Sequence, residues 1–322
     1  MSTLSTNTLQ SKVGLSYRLR RFGQILWKDL YKNKTIYLLL LPAVLYYLVF
    51  HYYPMYGAQI AFKNFSPGKG IMGSPWAGFE HFFNFFKSYY FWRLIGNTLI
   101  INFYDLIFGF PAPIILALLL GEVKKSAFRR SIQTVTYLPH FISTVVLCGI
   151  ILDFASREGL FNSMITFLGN EPIMFMIEPS WFQPIFVSSG IWQQVGWGSI
   201  IYLAALSNVD QELYEAAKID GANRLKQILN VTIPCILPTI VIMFILRIGH
   251  MMNVGSDKVL LLYNAATYET ADVISTFVYR KGLVDFSFSY ASAVGLFNSI
   301  INFILLISCN KLSRKLTDSS LW

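Results

Sequence analysis

The sequence predicts an all-α polytopic membrane protein of six transmembrane helices with both termini in the cytoplasm. Three observations predict it. Of 322 residues, 54% are hydrophobic and 13% charged, against roughly 25% charged in soluble domains. Six apolar runs of spanning length recur along the chain. Lys and Arg collect in alternate loops, seventeen on one side and eight on the other, with Arg247 inside a run. The positive-inside rule places the richer side in the cytoplasm, and both termini with it. The same distribution accounts for the net charge of +9. A basic balance that follows the membrane's sidedness gives no reason to expect nucleic acid as a partner.

The runs divide the chain. Residues 1–34 read as a cytoplasmic arm, 35–309 as the transmembrane domain and 310–322 as a cytoplasmic tail. In the arm, Leu15, Leu19, Phe22, Leu26 and Leu30 recur at helical spacing, with Arg18, Arg20, Arg21 and Lys28 elsewhere on the wheel. That pattern fits a helix lying on an anionic membrane surface, or a solvated basic arm. The expected spans are 35–53, 94–120, 131–152, 184–206, 235–255 and 290–309. Tyr46, Tyr47, Tyr52 and Tyr53 crowd the outer half of the first, as an aromatic belt does. Asp105 lies near mid-depth in the second, ahead of a kink at Pro111 and Pro113. The third contains Pro139 and His140. Segments 54–93, 153–183 and 256–289 are expected outside.

Between the fourth and fifth spans lies a polar cytoplasmic stretch, 207–238. Asp210 is placed to cap a short helix whose first turn carries Glu212. Tyr214-Glu215-Ala216-Ala217-Lys218-Ile219 has strong helix formers. Gly221 permits a tight turn. A second helical run, 222–231, is expected to be closed by Pro234 and Pro238 before the chain re-enters the membrane.

This stretch resembles the EAA loop of ABC importer permeases. The family spacing is Glu-Ala-Ala, three residues, Gly, nine residues, Ile, one residue, Leu-Pro. Glu215-Ala216-Ala217, Gly221, Val231 and Ile233-Pro234 match it, with Val and Ile as conservative departures. Asn97-Thr98-Leu99, Tyr137-Leu138-Pro139-His140-Phe141 and the segment Trp197 to Asn223 are similar to carbohydrate permeases of the maltose-type class. Ala271 to Arg280 and Ala293 to Phe297 resemble its LplB-like branch, which is associated with complex oligosaccharides. The resemblance implies the type I ABC importer permease fold. It also implies that Tyr214, Glu215, Ala216, Ala217, Asp220 and Gly221 form a coupling loop seated in a groove of a separate ATPase. ATP and Mg²⁺ would then belong to an ATPase dimer, with no cofactor in this chain. A second, non-identical permease, an extracellular solute-binding protein and an oligosaccharide complete the implied system.

The chain lacks a phosphate loop: Gly68-Lys69-Gly70 has neither the spacing nor the following hydroxyl residue. No nucleophile elbow or metalloprotease motif occurs, so no catalytic residue is assigned. Cys148, Cys235 and Cys309 lie in or beside apolar runs without metal-ligand spacing. His51, His81, His140 and His250 are scattered, so no metal site is expected. Two other classes compete. An ion-coupled secondary transporter needs intramembrane carboxylates and often a repeat. Asp105 is the one acidic residue well inside a span, and no repeat is visible. A polytopic membrane enzyme would gather polar groups at one interface, and none gather.

For an importer, Gln193 and Trp197 are candidates for the substrate path. They are four residues apart near the middle of the fourth span and share a helix face. Arg247 lies slightly beyond mid-depth in the fifth, with His250 one turn further out. An intramembrane Arg costs at least roughly 2.5–3.5 kcal/mol on insertion scales and so faces a partner or a wet cavity. Two readings stay open: Arg247 lines the substrate path with Gln193, Trp197 and His250, or it pairs with Asp105 and Trp197 is packing.

Overall fold

A computed structural model describes residues 28–29 and 31–317. The arm's expected interfacial helix lies outside the described residues, apart from Lys28 and Asp29, which are helical. Among the described residues there is no strand; one isolated bridge joins Lys63 to Trp76. The chain divides into two units, Met1–Gln59 and Ile60–Trp322. The first holds α1, Lys34–Tyr47, which continues through a π turn at Leu48–Tyr52. It is apolar on every side, and Pro42 lies inside it.

The second unit begins with aromatic packing. In α2, Glu80–Phe86, the ring of Phe85 is buried against Leu94, Phe277 and Val294. Helix α3, Phe91–Tyr104, passes through a π turn at Asp105–Gly109 into α4, Pro111–Glu122. The wide turn admits Pro111 without ending the helix, because the ladder there has already shifted to i→i+5. Helix α5, Ser126–Tyr137, is strongly amphipathic, and α6 is Thr144–Phe154. After α7, Leu160–Phe167, comes the long α8, Pro179–Ser207. Helices α9, Gln211–Ile219, and α10, Arg224–Gln227, form the polar loop. Helix α11, Ile233–Gly249, is followed by the short α12, Ser256–Leu262, α13, Tyr268–Ala271, and α14, Ile274–Tyr279. The closing helix α15 is Phe288–Thr317.

Among the described residues, four helices are long and apolar enough to cross a membrane: Lys34–Phe62, Phe91–Glu122, Arg224–Gly249 and Phe288–Lys315. A fifth is counted if Ser126–Phe141 and Thr144–Phe154, bent by 100°, form one span. That bend divides the expected run 131–152. Pro139 has no N–H for the ladder and sits in a 3-10 turn at Leu138–Phe141. Ser143 then starts α6 afresh, its Oγ accepting from Val146 N at 3.3 Å.

The expected closure at Pro234 and Pro238 is corrected. From Arg224 to Gly249 the helix is continuous. A π turn at Ile228–Thr232 precedes Pro234 and has already shifted the ladder to i→i+5, so the helix runs on through it; Pro238 is carried inside. The same helix stops at Gly249, short of the expected residue 255. Helix α8 has 29 residues, about 43 Å at 1.5 Å per residue. It spans the required distance but is not among the apolar helices. Gln183, Ser188, Ser189, Gln193, Gln194 and Ser199 make it polar, as suits a helix facing an interior cavity rather than lipid.

The packing fixes α8 against α3 and α6. Phe182 and Val187 join Ile101, Leu147, Cys148, Val254, Val259 and Leu262 in the largest buried cluster. That cluster surrounds the N-terminal half of α8 and holds α12 beside it.

Candidate functional site

A cavity of about 560 Å³ opens beside α8 and is lined also by α3, α4, α11 and the 253–258 stretch. Gln193, Trp197, Arg247 and His250 all line it. Arg247 Nη2 pairs with Asp105 Oδ2, the contact that the second reading expected, and both residues line the cavity. Asp105 stands on the π turn between α3 and α4. Gly109, one turn on, leaves room for its carboxylate, where an added Cβ would collide with Oδ1.

Gln193 and Trp197 are tied to the bend between α5 and α6. The bend leaves the Ile142 carbonyl outside the helical ladder, and Gln193 Nε2 donates to it at 3.0 Å. His140 lies flat on the Trp197 indole, with centroids 4.4 Å apart and planes 2° from parallel. His140 Nδ1 also meets Gln194 Oε1 at 2.9 Å. One face of Trp197 is packing, as the second reading held, and 46% of the residue remains exposed toward the cavity. Sequence reasoning did not single out Lys258, which was assigned to an exterior segment. It lines the cavity with only 9% exposure, and Nζ donates to Phe186 O at 2.8 Å while lying 4.5 Å from the Phe186 ring centroid. Burial pushes its ammonium down to about 8. The one sequence signal was a lysine heading the apolar run Val259-Leu260-Leu261-Leu262.

The stretch from His250 to Gly255 is not helical, which carries the chain from Arg247 round to Lys258. Asn302 on α15 holds it. Its Oδ1 accepts from Met252 N at 2.9 Å, and its Nδ2 donates to Asn253 Oδ1 at 3.2 Å. Asn298 Nδ2 adds a second bond to Asn253 Oδ1 at 3.0 Å.

The polar loop lies at the other end of α8 and α11. Asp210 Oδ1 accepts from Glu212 N at 3.0 Å, the expected cap. Gly221 has φ +73 and ends α9. Gly221 N donates to Lys218 O at 3.0 Å and Ala222 N to Ala217 O at 2.9 Å, a Schellman closure that needs the left-handed region at Gly221. Asn223 caps α10 through Lys226 N at 2.9 Å. Tyr214 Oη meets Thr232 Oγ1 at 3.0 Å, and Arg224 pairs with Glu122 at 3.5 Å, so the loop is fastened to the feet of α11 and α4. Glu215, Ala216, Asp220 and Gly221 are exposed, and Tyr214 and Ala217 half-buried. Ile219 is 86% and Leu225 64% exposed, an apolar tip not singled out from the sequence.

Residues 109–318 match the family described as binding-protein-dependent transport system inner membrane component. The chain belongs to that family. It is therefore a multi-pass membrane permease and not an enzyme, and the ion-coupled and enzymatic alternatives are not favoured. The permease is 44% identical to the protein LplB of Bacillus subtilis strain 168 over 90% of this chain and 92% of that one. It is 42% identical to that organism's polygalacturonan/rhamnogalacturonan transport system permease YteP over 91% and 92%. Among solved structures, a bacterial alginate ABC transporter, crystallised with an alginate pentasaccharide-bound periplasmic protein, contains a chain that matches with TM-score 0.85 and 42% identity, covering 92% of this chain and 99% of that one. The permease fold is thus that of an ABC importer.

Proposed function

We propose that this permease is one transmembrane half of an ATP-driven oligosaccharide importer and that the cavity beside α8 is the sugar path. One observation carries the reading: two of the helices that line the cavity, α8 and α11, also bracket the loop. From Trp197 down α8 to Ser207 is about 15 Å, and from Arg224 up to Arg247 about 35 Å, at 1.5 Å per residue. A push on the loop by a docked ATPase would reach Gln193, Trp197 and Arg247 through rigid helix. Gln193 offers donors and an acceptor, and Trp197 a flat apolar face, which suits a sugar ring with its polar edge and apolar faces.

In this reading, Tyr214, Glu215, Ala216, Ala217, Asp220 and Gly221 form the coupling loop, with Ile219 and Leu225 entering an apolar groove of the ATPase. ATP and Mg²⁺ are held by an ATPase dimer. A second permease completes the pathway, and an extracellular binding protein delivers an oligosaccharide, the substrate class that fits relatives carrying polygalacturonan/rhamnogalacturonan and alginate. Residues 35–309 form six spans, α8 being the polar sixth, with the arm 1–34 and tail 310–322 in the cytoplasm. The test is uptake by proteoliposomes holding the whole complex and its binding protein. The reading expects sugar accumulation that requires ATP on the loop side. Accumulation driven by an ion gradient without ATP would overturn it.

A further inference from the structure

The cavity's charges do not balance. Asp105 is the one carboxylate on its lining, and Arg247 takes it. That leaves Lys258. No carboxylate among the described residues pairs with Lys258. The adjacent Asp257 is exposed and meets Ser256 Oγ at 3.3 Å. Lysine is almost never buried without a partner, because desolvating an ammonium is costly. An ammonium has three donors, and among the described residues Lys258 gives one hydrogen bond, to the Phe186 carbonyl. The position is also rigid: Asn302 and Asn298 fix the non-helical stretch before α12, and Val259 and Leu262 anchor α12 in the core. A preorganised, desolvated cation with spare donors on the wall of a cavity is the chemistry that recognises an anion.

We propose that Lys258 is the specificity-determining residue of this cavity: its ammonium binds the carboxylate of a uronate unit, so the oligosaccharide carried is an acidic one. This rests on the cavity being the sugar path. The competing role for Lys258 is a tether that pins α12 to α8 through Phe186, with no preference among sugars.

The two roles separate in the complete complex in proteoliposomes, measured by ATPase stimulation. The probes are short oligogalacturonides, short alginate oligomers and their carboxyl-reduced neutral counterparts, each presented with the same binding protein. Comparing variant with wild type cancels the binding protein's own preference. Lys258→Gln keeps a donor for Phe186 but removes the charge. It is expected to lower stimulation by the acidic probe at least about tenfold, as loss of a buried hydrogen-bonded charge pair does, and to leave the neutral probe within about twofold. Lys258→Arg is expected to retain the acidic preference. Equal loss for acidic and neutral probes in Lys258→Gln, or an acidic preference unchanged without the charge, would overturn the proposal. If Lys258→Gln fails to assemble, loss of the preference in an assembled Lys258→Arg complex would overturn it and retention would support it. Failure of the wild-type complex to respond to any of the probes would instead overturn the importer reading beneath it.

Discussion

At the scale of single residues, Arg247 and Asp105 decide how the cavity is built. An arginine within an apolar helix needs a partner or a wet cavity, and here it has Asp105 as partner and faces a cavity. Removing one member leaves the other's charge uncompensated. A fully buried pair loses about 3–5 kcal/mol in that way. Arg247 keeps 47% side-chain exposure toward the cavity, so the expected loss is about 1–3 kcal/mol. Arg247→Ala is expected to lower the melting temperature of the purified complex, and Arg247→Ala with Asp105→Ala to recover part of that loss. Additive losses in the double variant would show that the pair is not coupled. The helical spacing of Gln193 and Trp197 made those two legible in the sequence as cavity residues. Lys258 was not legible as one, because a reading by apolar runs assigns everything between two runs to a loop, here an exterior one. Nor was the bond from Arg280 Nη2 to the fully buried Asp272 at 2.8 Å, or the pair of bonds from Asn97 Nδ2 to the carbonyls of Glu269 and Asp272 at 2.9 and 3.0 Å. Two stretches whose local patterns were noticed separately turn out to be partners across 175 residues.

Secondary-structure elements were legible where the signal is local. Asp210 and Gly221 specify start and stop of α9 within one helix length, and each acts as expected. Prolines were read less well, because their effect depends on the turn before them. Pro111 and Pro234 each follow a π turn and do not break their helices, whereas Pro139 sits at a 100° bend. Gly221 gives the sharpest test of the loop. At φ +73 a side chain costs about 1–2 kcal/mol of local strain. Among the described residues, no atom beyond the chain neighbours lies within 4 Å of an added Cβ, so the chain itself leaves space there. Gly221→Val is expected to lower ATPase association and uptake at least about tenfold while membrane insertion stays normal. Gly221→Asn, which tolerates that region, is expected to fall between. Normal ATPase association by Gly221→Val, measured by co-purification, would remove the loop from coupling.

On the scale of the whole molecule, charge asymmetry and apolar length predict the topology without reference to packing. Single cysteines placed at Lys69 and Asn170 in a cysteine-free background are expected to react with an impermeant reagent from outside. At Ser126 and Lys218 they are expected to react only after permeabilisation. External labelling at Ser126 in intact cells would reverse the orientation. The central claim is that the cavity beside α8 is the sugar path and that the loop drives its opening. It is tested most directly by the accessibility of Gln193→Cys in the reconstituted complex. The account predicts labelling from one side in the resting state and from the other when ATP hydrolysis is trapped with vanadate, with protection by bound oligosaccharide in both. Labelling that is indifferent to nucleotide and to sugar would contradict it.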